Sequence, residues 1–165
     1  MIVDGGQCQV GIESAVIDVT TAPPRLLRPG MIHEESLLSV TGDLIAGPGP
    51  DGDHLRSPGM LRKHYAPRAR LIVRSWESPD ELSNQVAECG AAPKQTHVIV
   101  HSVIPSGDAW GRVSVIPHDA EAFARAIYAE LHHCDELGAT WIVVEDLPEG
   151  PEWRAIADRL RRASA

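Results

Sequence analysis

From about residue 70 to residue 165, short apolar runs alternate with stretches whose apolar residues recur at helical spacing. Leu71-Ile72-Val73, His97-Val98-Ile99-Val100, Val113-Ser114-Val115-Ile116 and Trp141-Ile142-Val143-Val144 have the length and β-branched content of strands. Pro79 to Ala87 suits a helix, with Ser78 placed to cap it. A longer helix starts near Ala120. Its Phe123, Ile127, Leu131 and Cys134 recur at steps of four, four and three, which puts them on one stripe. Gly138 stands where that helix should end. Pro151 opens a last helix, striped by Trp153, Ile156 and Leu160. Strands alternating with helices predict a parallel sheet covered by helices, a small Rossmann-like α/β domain.

Residues 1–45 follow a different rule. Ser14 to Thr20 alternates, with Ala15, Ile17 and Val19 on one face, and Pro23-Pro24 ends the run. Arg25-Leu26-Leu27-Arg28 is a second short strand, stopped by Pro29-Gly30. A short helix is predicted from Glu34 to Val40. These pieces are too few to bury a core, so they read as an incomplete sheet piece exposing apolar surface. Residues 46–69 form an extended linker, because Gly47-Pro48-Gly49-Pro50 holds neither a helix nor a central strand. Gly47, Gly49 and Gly52 spell G-x-G-x-x-G, but the prolines and the missing helix exclude dinucleotide binding.

Composition narrows the classes. Hydrophobic residues make up 43% and aromatic ones 4%, so the core is built from Ala, Val, Leu and Ile. The net charge of −8 argues against a direct nucleic-acid binder. Cys8, Cys89 and Cys134 are scattered and form neither a disulfide framework nor a C-x-x-C site, which suits reduced thiols in the cytoplasm. Met1-Ile2-Val3 runs at once into Asp4-Gly5-Gly6, with no apolar stretch of signal length, and no run reaches membrane-span length.

Against that acidity, Arg56, Arg62, Lys63, Arg68, Arg70 and Arg74 lie within 19 residues that hold no acid, six of the 15 basic residues. Such an island serves either as a clamp on a polyanion, for example a nucleotide's phosphates, or as a solvated charged linker. Within it, Ser57-Pro58-Gly59-Met60 and His64-Tyr65-Ala66-Pro67 combine stiff ends, a glycine turn and polar tips, the makings of a lid. Ser14 begins a strand, where its hydroxyl can bond a ligand or its own backbone. Arg28, alone at a strand end, has the surface as its ordinary place. His132-His133 are adjacent and cannot chelate a metal as an i, i+4 pair does. Neither a P-loop nor a G-x-S-x-G elbow is present.

Three segments in order carry a resemblance: Ile2-Val3-Asp4-Gly5-Gly6 with Gly11-Ile12-Glu13-Ser14, then Leu27-Arg28-Pro29-Gly30, then Ser57-Pro58-Gly59-Met60 with His64-Tyr65-Ala66-Pro67. Together with the closing helix Ala155 to Ala163, they resemble bacterial and archaeal threonylcarbamoyl-AMP synthases built from a YrdC-like domain, a linker and a C-terminal domain. The resemblance covers nearly the whole chain and implies a division into residues 1–45, the end of the YrdC-like domain, the linker 46–69, and the C-terminal domain 70–165.

The resemblance also implies a reaction. L-threonine, bicarbonate and ATP are joined into threonylcarbamoyl-AMP with release of pyrophosphate. A separate transferase then modifies tRNA, so tRNA is met only indirectly. Ser14 is expected to contact threonine, and Arg28 and Tyr65 to contact ATP. Arg62, Lys63 and His64 join the lid, and Mg²⁺ accompanies ATP. No residue is expected to react covalently. Two positions depart from the family: Ala15 stands where threonine is usual, and Leu61-Arg62 where Lys-Tyr is frequent. Roughly the first half of the family's chain, with its Lys/Arg and Ser-x-Asn motifs, has no counterpart. The expectation is therefore a fragment, a late start or one half of a split enzyme, inactive unaided. The competing expectation is a non-catalytic module that docks on a YrdC-like partner.

Overall fold

The structure, a computed structural model, describes residues 1, 3, 6, 10–47, 66–106 and 108–165. A first sheet joins β1 (Val16–Asp18), β2 (Arg25–Arg28) and β3 (Ile45–Ala46), with helix α1 (Glu34–Thr41) between β2 and β3. β1 and β2 run antiparallel, with Ile17 opposite Leu26, while β2 and β3 run parallel. Leu26 is buried, but α1 buries no residue, and Val19 and Val40 are 74% and 86% exposed. The alternation from Ser14 to Thr20 becomes only three residues of strand, since no opposing layer covers Val19 among the described residues.

The remainder is a four-stranded parallel sheet in the order β4 (Arg70–Arg74), β7 (Trp141–Glu145), β5 (Thr96–Val100), β6 (Arg112–Val115). Each neighbouring pair is parallel, with Leu71 opposite Ile142 and Val98 opposite both Val143 and Val113. Every residue of central β5 is buried, as a strand covered on both faces requires. Leu71, Ile99, Ile142 and Val144 face α3 (Ala120–Glu136) and α4 (Pro151–Ala163). Val98, Val100 and Val143 face the other way, toward Trp76, Trp110 and α2 (Pro79–Glu88).

Local chemistry sets the helix ends. Ser78 Oγ accepts the Glu81 N–H at 3.3 Å, and the Glu81 carboxylate reaches back to the Glu77 N–H at 2.9 Å. Asp119 accepts the Ala122 N–H at 2.8 Å to begin α3. Gly138, at φ 78°, ends it: its N–H bonds the Asp135 carbonyl while the Ala139 N–H bonds that of Cys134. The predicted stripe Phe123, Ile127, Leu131 and Cys134 is buried throughout. Burial pushes the Cys134 thiol up to about 11, and both Cys89 and Cys134 are free. No described helix is long and apolar enough to cross a membrane.

The first sheet is seated on the second unit by the chain just before β1. Ile12 is 6% exposed and belongs to the same core cluster as Phe123, Ile127 and Trp153. Gly11 lies so close to α3 that a Cβ there would overlap the Ala124 carbonyl and the Arg125 Cα.

Candidate functional site: two strand ends held on the last helix

Ser14 lies two residues before β1, and Arg28 closes β2. The antiparallel pairing brings these ends together, and the Arg28 guanidinium completes the approach. Its Nε and Nη2 donate to the Ser14 carbonyl at 3.2 and 3.1 Å. Arg28 is 8% exposed, so this strand-end arginine does not take the surface place expected of its type. Ser14 is exposed, and its hydroxyl takes no hydrogen bond among the described residues. The Pro29-Gly30 turn presses flat on the same segment, since a Cβ on Gly30 would overlap the Ala15 backbone nitrogen. Ala15 is half-buried beneath that turn, where a side chain adds to packing.

The segments on either side are fixed from α4. Arg159, 5% exposed, donates from Nε to Glu13 Oε2 at 2.5 Å and from Nη2 to the Pro29 carbonyl at 3.0 Å. Its Nη1 donates to Asp158 at 2.9 Å. Asp158 in turn accepts from Arg161 at 2.5 Å and Arg162 at 2.9 Å. The Tyr128 hydroxyl of α3 also donates to Glu13, at 3.2 Å. Burial by itself pushes the Glu13 carboxyl up, but the Arg159 hydrogen bond and charge, with Tyr128, hold it below its ordinary value. Asp158 follows the same logic: burial raises it, and the three arginines bring it below the usual range.

Sequence reasoning missed Arg159, Glu13, Asp158 and Tyr128. A signal existed for Arg159. It stands three residues after Ile156 and four before Ala163, inside the apolar stripe of α4. Charged residues in such a stripe are buried only when paired.

A concavity of about 610 Å³ opens between the chain before β1 and the C-terminal ends of the parallel strands. His33, His118, Glu121, Glu152 and Trp153 line it. His101 faces the Asp146 carbonyl through Nε2 at 2.9 Å, and a carbonyl only accepts, so Nε2 carries the proton. His118 Nδ1 and His101 Nδ1 share a hydrogen bond across 2.8 Å. No group of three or more His, Cys, Asp or Glu among the described residues is arranged to hold a metal ion. The predicted lid residues Arg62, Lys63, His64 and Tyr65 lie outside the described residues.

The chain is similar to known proteins over nearly all of its length. The family profile for the threonylcarbamoyl-AMP synthase C-terminal domain matches residues 32–165. The threonylcarbamoyl-AMP synthase of Pyrococcus abyssi is 38% identical over 99% of this chain and 48% of its own length. That of Bacillus subtilis is 30% identical over 99% of this chain and 48% of its own length. The crystal structure of P. abyssi Sua5 complexed with L-threonine superposes with a TM-score of 0.81 at 34% identity, over 98% of this chain and 48% of that one. A P. abyssi Sua5 variant with an adjacent histidine and tyrosine replaced by alanine superposes at 0.77 and 33% identity, over 98% and 47%. The chain spans about half the length of the curated relatives it matches. By the extent of these matches, the chain belongs to the threonylcarbamoyl-AMP synthase C-terminal domain family.

Proposed function

We propose that this chain works in threonylcarbamoyl-AMP synthesis, a nucleotidyl transfer on the way to tRNA modification, and that Ser14 and Arg28 contribute its threonine and ATP contacts. The amine of L-threonine takes up carbon dioxide from bicarbonate as a carbamate. A carbamate oxygen bonds to the α-phosphorus of ATP as the bond to pyrophosphate breaks. The protein forms no covalent bond, so its task is to position the reactants and neutralise phosphate charge. Mg²⁺ enters on ATP as part of that substrate. Arg62, Lys63, His64 and Tyr65 close over the nucleotide and keep water from the mixed anhydride.

The carrying observation is the convergence of Ser14 and Arg28, whose guanidinium lies 3.1 Å from the Ser14 carbonyl. The L-threonine complex of the P. abyssi protein supports the substrate. The double-alanine variant bears on the lid, because His64-Tyr65 is the one adjacent His-Tyr pair in this sequence. ATP–pyrophosphate exchange with threonine and bicarbonate tests the reading. Exchange is expected when the chain is supplied with the YrdC-like half that carries the Lys/Arg and Ser-x-Asn motifs. Its absence from that mixture, with both halves folded and associated, overturns the reading.

A non-catalytic docking module is the second reading, favoured by the exposure of Val19 just after β1 and of Val40 on α1. It requires that the chain bind an intact YrdC-like enzyme without adding to its exchange rate.

A further inference from the structure

We propose that Arg159 is a positioning residue that sets the spacing of the threonine and ATP contacts from helix α4. The proposal rests on the reading of Ser14 and Arg28 given above. Glu13 immediately precedes Ser14, and Pro29 immediately follows Arg28. One guanidinium holds both neighbours at once, Glu13 at 2.5 Å and the Pro29 carbonyl at 3.0 Å. Arg28 itself spans the same gap by reaching the Ser14 carbonyl. The two substrate residues are therefore tied twice, once by Arg28 itself and once through α4.

The chemistry of the fork explains why arginine stands there. A planar guanidinium donates in three fixed directions, and here each is used: Nε to Glu13, Nη2 to Pro29 and Nη1 to Asp158. An ammonium is a point charge on a flexible stem and does not impose the angle between two acceptors. Stability alone is a weak reason for the pair, because buried ion pairs are often matched by apolar packing. Attachment of the two units does not rest on it either. Ile12 in the core, Gly11 flush on α3, the Tyr128–Glu13 bond and the Arg154–Glu34 ion pair all join them.

The test compares Arg159→Lys, Arg159→Met and, as a control, Arg154→Met, which breaks a contact between the units without touching Glu13 or Pro29. Hydrogen exchange on this chain is the first readout. Arg159→Lys is expected to speed exchange by about tenfold or more in both the Ser14–Val16 and the Gly30–Met31 amides. Steady-state exchange of pyrophosphate by the chain with its YrdC-like half is the second. Arg159→Lys should raise KM for threonine and for ATP together, by about tenfold or more, since small misplacement is costly. A merely structural loss lowers the amount of active enzyme, hence apparent kcat, at unchanged KM. Arg154→Met should leave both KM values unchanged.

Unchanged amide exchange in either segment, in both Arg159 variants, overturns the proposal whatever the enzyme does. So does an Arg159→Lys enzyme whose KM values stay within about twofold of the parent. Coupled loosening of both segments, in a parent that shows no threonine-dependent exchange, upholds the mechanical link and rejects the assignment of the substrates.

Discussion

Glu145, the last residue of β7, accepts the backbone N–H of Ser102 at 2.9 Å. The same carboxylate takes the N–H groups of His101 at 2.7 Å and Val103 at 3.0 Å, and the Ser102 hydroxyl. Trp76 holds the loop from the other side through its indole N–H to the Val103 carbonyl at 3.0 Å. Glu145→Ala leaves these donors without their acceptor and is expected to cost about 2–4 kcal/mol. Glu145→Gln keeps one acceptor oxygen and should cost about half as much. Urea unfolding followed by tryptophan fluorescence checks both, and equal stabilities for parent and alanine variant would contradict the anchoring role.

Acid should unlock the molecule in a defined order of causes. Glu13, Glu145 and Asp158 are all held below their ordinary values against the upward push of burial. A depressed carboxylate contributes stability that is fully present above its unfolded pKa, about 4, and is lost as pH falls through the folded value. Thermal midpoints should therefore fall steeply below about 4, after a shallower decline that begins near 6.5, where His97, held neutral by burial, gains a proton more readily in the unfolded chain. Asp158→Asn should lower the midpoint at pH 7 and make the acid limb shallower. A parallel acid limb in that variant would remove Asp158 from the account.

The seat of the first sheet depends on a residue without a side chain. Gly11→Ala places a methyl group against the Ala124 carbonyl and the Arg125 Cα, both backbone atoms of α3 that cannot swing aside. The expected penalty is about 1–3 kcal/mol, with Ile12 lifted from the core. Proteolysis within residues 10–31 should speed up in this variant while the parallel sheet stays resistant. Uniform resistance would show that the seat tolerates the methyl group.

Arg28→Ala and Tyr65→Ala, each in the chain with its YrdC-like half, should separate floor from lid. Loss of a charge-assisted phosphate contact at Arg28 should weaken ATP binding by about 1.5–3 kcal/mol. Tyr65→Ala should cut turnover and product lifetime while sparing threonine binding. Calorimetry and single-turnover release of product measure the two effects, and wild-type ATP affinity, turnover and product lifetime in the tyrosine variant would remove the lid.

Much of the parallel-sheet unit was legible because its signals are local. The spacing of Phe123, Ile127, Leu131 and Cys134 reports one buried face, and Ser78 and Gly138 mark helix ends through bonds within a few residues. The site was legible only in part. Ser14 and Arg28 stood out by resemblance, yet the burial of Arg28 contradicts the ordinary place of a strand-end arginine. Arg159 bonds residues 146 and 130 positions away, and no periodicity encodes a partner at that distance. The sheet order, which inserts β7 between β4 and β5, is likewise a product of tertiary packing.

The distance between Glu13 and Arg159 along the chain also sets a schedule. Glu13 leaves the ribosome 146 residues before its clamp exists, and at common elongation rates that interval is on the order of ten seconds or more. Throughout it Ile12 has no socket, because Phe123 and Ile127 of α3 and Trp153 of α4 come later in the chain. The strand ends that carry Ser14 and Arg28 are thus made early and set late. Their final arrangement arrives only after α4 has been made and has folded back.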